Sequence, residues 1–241
     1  MKKLGVVLPW DSPFIWRHSV ENMMNWKRPV GVVVNYFFGK GWCPANRHNN
    51  GVQAALDWGA DLIVFAGSDH VVEREYLVKL WNNIYVDGWD MASGIITGRT
   101  APFEYLAYQA LTDAMPNFNV VRMAQSIRFW KTLSKKDGSQ EIHCIGTGCL
   151  AVKKEVFEKM ERPWFRECVN EDDKNFARVP VNDTEFVARA TLDYDFRLWL
   201  NTDIDCRHLE IFAIDETFRD RFNDKEQYWS PTRSVLNEPQ F

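Results

Sequence analysis

The chain has 241 residues, of which 46% are hydrophobic and 26% charged, so it can bury a continuous core like an average globular protein. Its net charge of −4, with no basic tail or Lys/Arg run, argues against general binding to nucleic acid or anionic membranes. No segment approaches the roughly 20 apolar residues of a membrane span. The five cysteines are odd in number and form no CxxC pair, so they indicate neither a zinc cluster nor a disulfide framework and favour a reducing, cytoplasmic setting.

The first hundred residues alternate predicted strands and helices. Short apolar runs predict buried strands at residues 4–8 and 62–65, a run rich in β-branched residues predicts a strand at 30–36, and a further strand is expected at 91–96. Apolar residues spaced three and four apart predict helices between these strands, marked by Trp16, Val20 and Met23, by Val52, Ala55 and Leu56, and by Leu77, Leu80, Trp81 and Ile84. Gly59 suits the carboxyl end of the second helix. This alternation is typical of a parallel sheet with helices on both faces.

The second half is less regular, and residues 99–142 show no assignable pattern. Residues 142–152 predict a strand that is kinked at residues 146–148 and leads into a helix. Asn182 can cap a further helix, with Glu185 completing a capping box. Residues 196–200 alternate as a strand, and His208 is expected in a polar loop after it. Because no linker rich in Pro, Gly or Ser is found, we expect a single domain.

Polar residues follow three of the predicted strands. Pro9 and Asp11 come after the first strand, Asn35 closes the second, and residues 68–70 come after the third. Ligands of open α/β sheets bind outside the carboxyl ends of the strands. We therefore expect these residues to converge at one edge of the sheet.

Three side chains are candidates for chemistry. Asp69 can hold a divalent ion that neutralises a diphosphate, and His208 can add an imidazole ligand, a combination that favours Mn²⁺ over Mg²⁺. Asp183, at a helix start, can act as a general base on a hydroxyl group. Each residue also has a plainer interpretation: a turn that ends a strand, a hydrogen-bonded structural histidine, and helix capping.

Several common nucleotide-binding and catalytic motifs are missing from the sequence. Residues 146–148 lack the GxGxxG dinucleotide fingerprint, and no GxxxxGK[ST] sequence occurs. No GxSxG elbow marks a nucleophile. Rossmann dehydrogenases, P-loop enzymes and α/β-hydrolases are therefore poor interpretations.

Four segments carry a resemblance to a known family, at residues 46–56, 62–70, 145–157 and 182–209. In this order they are similar to the ARN-x-G-x-x-A-A helix, the strand ending in Asp-x-Asp, the glycine-containing strand before a helix, and the ED-x-x-F-x-x-R-A and HL motifs of GT-A-fold glycosyltransferases. The chain resembles in particular the family-2-like group and its short, stand-alone members from bacteria and bacteriophages. The resemblance implies a GT-A (Rossmann-like) α/β fold, with a nucleotide-binding half at about 1–98, an acceptor-binding half at about 99–210 and a tail at 211–241.

The resemblance also assigns roles to individual residues. Asp69 matches the second carboxylate of Asp-x-Asp, a metal ligand, and His208 matches the late histidine that completes the metal site. Asp183 matches the base that activates the acceptor. The remaining matches lie near the donor nucleotide: Pro9, Asp11, Asn35, Asn49 and Ser68.

The chain departs from the family pattern at three positions. Gly67 stands where the family has the first Asp of Asp-x-Asp, Asn182 replaces the usual Glu, and Arg47 is one residue out of register with the family Arg.

The activity implied by the resemblance is transfer of a sugar from a UDP- or GDP-linked donor to a hydroxyl acceptor such as a glycan, by an inverting displacement at the anomeric carbon with Asp183 as the base. The cofactor is a divalent metal, Mn²⁺ rather than Mg²⁺. Two alternatives stay open. One is a sugar-phosphate nucleotidyltransferase of the same fold, although its glycine-rich first loop is missing here. The other is a non-catalytic protein that binds glycans or nucleotide sugars, which the loss of an acidic residue at Gly67 would allow.

Overall fold

The computed structural model describes residues 1–10, 17–97, 106–110, 130–166, 168–169, 178–179 and 182–209. The strands are β1 (Lys3–Leu8), β2 (Val33–Phe38), β3 (Leu62–Phe65), β4 (His70–Val72), β5 (Met91–Ile96), β6 (Ala107–Ala110), β7 (Trp130–Thr132), β8 (Gln140–Ile142), β9 (Cys144–Ile145), β10 (Leu150–Lys153), β11 (Cys168–Val169), β12 (Arg178–Val179) and β13 (Leu198–His208). The helices are α1 (Arg17–Met24), α2 (Pro44–Asp57), α3 (Tyr76–Tyr85), α4 (Lys154–Lys159) and α5 (Asn182–Leu192).

A mostly parallel sheet forms the centre of the protein. Its strand order is β2-β1-β3-β10-β5-β13-β4, and β8 pairs in addition with β13. Five strands, namely β2, β1, β3, β5 and β13, run in one direction, whereas β10 is inserted antiparallel between β3 and β5. The strands β3 and β5 are buried along their whole length, which explains the continuous apolar sequence of β3 and the mostly apolar sequence of β5.

Helices cover both faces of this sheet. On one face α2 packs against β1 and β2, where Gly5 permits close approach because a Cβ at this position would lie 3.0 Å from the Cβ of Ala55. On the other face α3 packs against β5, β10 and β13. The fold class predicted from the sequence, an α/β Rossmann-like fold with a mostly parallel sheet and helices on both faces, is therefore confirmed. Among the described residues, no helix has the length and apolar character needed to cross a membrane.

The limits of α2 follow from local interactions. At its start, the Cys43 sulfur accepts a hydrogen bond from the Asn46 N–H at 3.4 Å, and Pro44 occupies the first turn, where its missing N–H is not needed. At its end, Gly59 adopts a φ of 85°, a left-handed conformation that glycine tolerates best. The predicted end of this helix at Gly59 is confirmed.

Asn35 does not end its strand. The aromatic residues Phe37 and Phe38 extend β2 in register with Val7 and Leu8, so Asn35 lies in the middle of β2, exposed and opposite Gly5. The prediction that Asn35 follows a strand, and therefore reaches the edge where the other site residues lie, is wrong.

His208 lies in a strand rather than in the predicted loop. The strand β13 continues through the polar segment after Leu200, with a shift in its pairing to β5 between Asn201 and Asp205. Such a bulge lets a strand continue where its sequence no longer alternates. The end of β13 pairs with β4, a three-residue strand that the sequence did not predict, and this pairing sets His208 opposite His70.

Glu185 has an ionic partner within its own helix. Asn182 is the first residue of α5, and Glu185 forms an ion pair with Arg189, one turn later. The Arg189 Nε lies 3.2 Å from the Glu185 carboxylate, and both side chains are buried. This pair holds the inner face of α5, and the first turn of the same helix carries Asp183.

A candidate metal-binding cavity

A cavity of about 240 Å³ lies at the carboxyl ends of β1 and β3. Five residues predicted for the site line it: Pro9, Ser68, Asp69, Asp183 and His208. Residues that the sequence analysis did not assign to the site complete the lining, namely Trp10, His48, Gly67, His70, Ile96, Leu106, Gly146, Thr147 and Gly148. Segments far apart in sequence therefore meet at this edge of the sheet, as the α/β architecture requires.

Three predicted donor-binding residues are not part of this lining. Asp11 lies outside the described residues. Asn35 is exposed in the middle of β2. Asn49 uses its amide to hold the backbone of Phe165, donating to the Phe165 carbonyl at 2.8 Å and accepting from the Phe165 N–H at 3.1 Å. A role for these residues in donor binding stays a prediction.

Asp69, His70 and His208 form a cluster that could hold a metal ion. One potential ligand atom from each residue lies within 4.8 Å of the other two. The backbone fixes this arrangement, because the Leu209 N–H donates to the Asp69 carbonyl at 2.6 Å and because His70 pairs with His208 across β4 and β13. The two imidazole rings lie with their centroids 4.0 Å apart.

The His208 ring is oriented by a backbone carbonyl. Its Nδ1 contacts the carbonyl oxygen of Thr97, the residue that follows β5. With Nδ1–H as the donor, the neutral ring carries an acceptor lone pair on Nε2, the arrangement commonly found in metal-ligating histidines.

The His70 ring is buried and lacks hydrogen bonds. Its Nδ1 lies 2.9 Å from a carboxylate oxygen of Asp69, but without hydrogen-bond geometry, and within the described part of the chain neither ring nitrogen has a hydrogen-bond partner. Burial lowers the pKa of His70 to about 4, so the ring is neutral at pH 7. Two imidazoles and one carboxylate fit a divalent transition-metal ion, since such ions accept nitrogen ligands readily.

The opposite side of the cavity is formed by Asp183, Thr147 and His48. One carboxylate oxygen of Asp183 accepts from the Thr147 N–H at 3.3 Å, and the other accepts from the Thr184 N–H at 2.8 Å. The hydroxyl of Thr147 lies 3.1 Å from Nε2 of His48, whose Nδ1 lies 2.8 Å from the Pro44 carbonyl. Burial lowers the pKa of His48, so this ring is also neutral: Nδ1–H donates to Pro44 and Nε2 accepts from Thr147.

The sequence analysis missed His70 and His48 as members of the site. For His70 a signal was present, since an imidazole directly beside a metal-binding carboxylate is a candidate second ligand. No such signal marked His48, whose place in the cavity depends on α2 packing beside the turn that carries Thr147. Trp10, which donates from Nε1 to the Ala66 carbonyl at 3.0 Å, was noted only as part of the first loop.

Comparisons with known proteins support the fold alone. No protein-family model matches the sequence, and no curated protein matches it either. Among solved structures, 169 chains are similar to this one, including A197 from STIV. The likeness to A197 has a TM-score of 0.55 at 15% sequence identity and covers 88% of this chain and 87% of that chain. At this identity the two proteins share an overall fold.

Proposed function

We propose that the protein is a metal-dependent glycosyltransferase that moves a sugar from a UDP- or GDP-linked donor to a hydroxyl group of an acceptor such as a glycan. The proposal combines the family-2-like resemblance of the sequence with the chemistry of the cavity. The fold likeness to A197 is compatible with it but carries no information on substrate.

The observation that supports the proposal most is the meeting of three predicted residues in one cavity. Asp69 precedes Asp183 and His208 by more than one hundred residues in the sequence. All three residues nevertheless line the same cavity. The first and the last also belong to the cluster that fits a metal ion. The cavity volume of about 240 Å³ lies below the roughly 300–1,000 Å³ of typical ligand pockets.

Each side of the cavity has a role in this reaction. Asp69 and His208 would hold a divalent ion, which when bound supplies positive charge against the leaving diphosphate. Asp183 accepts the proton of the acceptor hydroxyl group while the oxygen of that hydroxyl group forms a bond to the anomeric carbon. The bond from that carbon to the diphosphate oxygen breaks, and its electron pair leaves with the nucleoside diphosphate. A single displacement of this kind inverts the anomeric configuration.

The backbone around Asp183 suits a base. Its two hydrogen bonds come from the N–H groups of Thr147 and Thr184, which orient the carboxylate towards the cavity without a neighbouring positive side chain among these contacts. A positioned carboxylate of this type typically contributes about 10²–10⁴-fold to the rate.

A donor panel tests the proposal. The protein would be incubated with UDP- and GDP-sugars and a mixture of free sugars and glycans, with MnCl₂ or with EDTA, and release of nucleoside diphosphate would be followed together with product mass. We expect Mn²⁺-dependent consumption of one donor. Binding of a donor without turnover under every condition would favour the non-catalytic alternative, and release of pyrophosphate from a nucleoside triphosphate and a sugar phosphate would indicate a nucleotidyltransferase.

The cytoplasmic setting is part of the same proposal, because nucleotide sugars are substrates there in bacteria and their phages. In the described part of the chain, four cysteines are free thiols: Cys43, Cys144, Cys149 and Cys206. Free thiols suit a reducing compartment.

A further inference from the structure

We propose that His70 is a third ligand of the metal ion, held in a slot formed by Gly67 and Gly148, and that this nitrogen-rich site selects Mn²⁺, Co²⁺ or Zn²⁺ against Mg²⁺ and Ca²⁺. The inference rests on the metal site of the proposed function, but not on sugar transfer.

The slot is defined by two glycines that leave room for the His70 ring. A Cβ at Gly67 would lie 2.0 Å from Nδ1 of His70, and a Cβ at Gly148 would lie 2.4 Å from Nε2. Contacts this short do not occur between real atoms, so any side chain at either position would displace the ring. The backbone joins the two sides, since the Gly67 N–H lies 3.4 Å from the Gly148 carbonyl.

The nitrogens of His70 differ from those of two other described histidines. His48 has hydrogen-bond partners for both ring nitrogens, and Nδ1 of His143 accepts from the Ala110 N–H at 3.1 Å. Both nitrogens of His70 are buried without a hydrogen-bond partner. A buried polar atom normally has a partner, and a ring that only filled space would be replaced without loss by an apolar one. A metal ion beside Asp69 and His208 would supply a partner for one of these nitrogens, and the carboxylate of Asp69 already lies 2.9 Å from Nδ1.

The slot also gives a physical reason for the unusual sequence Gly67-Ser68-Asp69-His70. A carboxylate side chain at position 67 would force the His70 ring out of its present position, because its Cβ would overlap Nδ1. Glycine at position 67 is therefore needed for the imidazole of His70 to lie beside Asp69.

Selectivity follows from the donor atoms. Mg²⁺ and Ca²⁺ are hard ions that take oxygen ligands, whereas imidazole suits Mn²⁺, Co²⁺ and Zn²⁺ progressively better. With two imidazoles and one carboxylate, the cluster supplies more nitrogen than oxygen ligands. We expect it to bind Co²⁺ and Zn²⁺ most tightly, Mn²⁺ less tightly, and Mg²⁺ at least about tenfold more weakly than Mn²⁺.

The test uses metal ions alone. Titration calorimetry with CoCl₂, ZnCl₂, MnCl₂ and MgCl₂, and the visible absorption spectrum of the Co²⁺ form, would be compared for the wild type, His70→Ala and Gly148→Ala, with His143→Ala as the histidine control. We expect one Co²⁺ per wild-type chain, an unchanged value for the control, and Co²⁺ affinity lower by about 10–100-fold in each of the two site variants. Gly148→Ala is the sharper variant, because it leaves all three ligands in the sequence and only displaces the ring.

A double variant keeps the result interpretable if Gly148→Ala is unstable. In His70→Ala combined with Gly148→Ala the steric overlap is gone, so we expect thermal stability close to that of His70→Ala and Co²⁺ affinity no lower than in either single variant. A second pair of substitutions, Gly67→Asp with His70→Ala, restores a carboxylate and should raise the affinity for Mg²⁺ relative to Co²⁺.

Three outcomes separate this inference from the proposed function. Wild-type Co²⁺ affinity and spectrum in both His70→Ala and Gly148→Ala would overturn the role of His70 while leaving the Asp69 and His208 site intact. Equal affinity of the wild type for Mg²⁺ and Co²⁺ would overturn the selectivity. Selective metal binding that depends on His70, without turnover of any nucleotide sugar, would support this inference and count against glycosyl transfer.

Discussion

Two sides of the cavity differ in how their imidazole rings are hydrogen-bonded. We call one side the metal wall, which is formed by Asp69, His70 and His208. We call the other the base wall, which is formed by His48, Thr147 and Asp183. On the metal wall the His70 nitrogens have no hydrogen-bond partner. On the base wall both nitrogens of His48 are hydrogen-bonded, and the ring stacks on Phe165 with 4.6 Å between centroids.

This difference separates two uses of the same side chain. A fully bonded ring such as His48 acts as a spacer that fixes its neighbours, here the turn whose Thr147 N–H holds Asp183. A ring whose buried nitrogens lack hydrogen bonds, such as His70, is the one that we propose binds a metal ion. Substitutions on the metal wall should therefore change ligand binding, whereas substitutions on the base wall should change turnover or stability.

The largest effect is expected for Asp69→Ala. Without its only carboxylate, the cluster keeps two imidazoles, which offer no negative charge to compensate that of a divalent ion. We expect Mn²⁺-dependent binding of UDP or GDP, measured by calorimetry, to fall by more than about 100-fold, since even partners outside the ligand set typically contribute 10–100-fold. Asp203→Ala, at an exposed position on β13, is the matched control and should bind like the wild type. Normal nucleotide binding by Asp69→Ala would remove the metal wall from donor binding.

Asp183→Asn should produce a smaller loss that falls on catalysis alone. The amide keeps the size of the side chain but cannot accept the acceptor's proton, so we expect kcat to fall by about 10²–10⁴-fold. Metal and donor affinities should stay within about twofold of the wild type. Steady-state rates and donor affinity measured on the same preparation would show whether the loss falls on catalysis and not on binding. A variant with a normal kcat would show that Asp183 is not the base.

Thr147→Val should have a moderate effect on the base wall. The substitution keeps the backbone N–H that holds Asp183 but removes the hydroxyl that bonds to His48, leaving a buried ring nitrogen unsatisfied. We expect stability to fall by about 1–3 kcal/mol, measured by chemical denaturation. Metal affinity should not change, and a reduced Co²⁺ affinity in this variant would mean that the two walls are coupled rather than separate.

Asn49→Ala should leave function nearly unchanged. The amide holds the backbone of Phe165 with two hydrogen bonds, so we expect a stability loss of about 1–3 kcal/mol in denaturation experiments. Donor affinity of the folded variant should be unchanged. If it fell by tenfold or more, Asn49 would contact the donor as the family resemblance implies.

The sequence predicted the first half of the fold well because its elements are strongly patterned. Strand β3 is a continuous apolar run, β5 is mostly apolar, and Gly59 marks a helix end with a backbone conformation that glycine favours. In contrast, β4 has only three residues and no periodicity, and its existence depends on pairing with β13. The antiparallel position of β10 between β3 and β5 is likewise a tertiary property that local pattern does not carry.

The site was predictable to the extent that its residues follow strands or begin helices. Asp69 and Asp183 fit this description and line the cavity, and His208 also lines it although it lies in a strand. His70 depends on two glycines that are adjacent in space but 81 positions apart in sequence, at 67 and 148, so its burial could not be inferred locally. Asn35 was misplaced because the aromatic residues after it extend β2.

The most direct test is to locate the ion. Crystals grown with MnCl₂ and UDP or GDP, with anomalous diffraction recorded at the manganese edge, would show where the metal binds. We predict one strong peak within roughly 2.0–2.4 Å of the Asp69 carboxylate and of an imidazole nitrogen of His208, with the diphosphate against it. A peak elsewhere, or a bound diphosphate far from both side chains, would contradict the account.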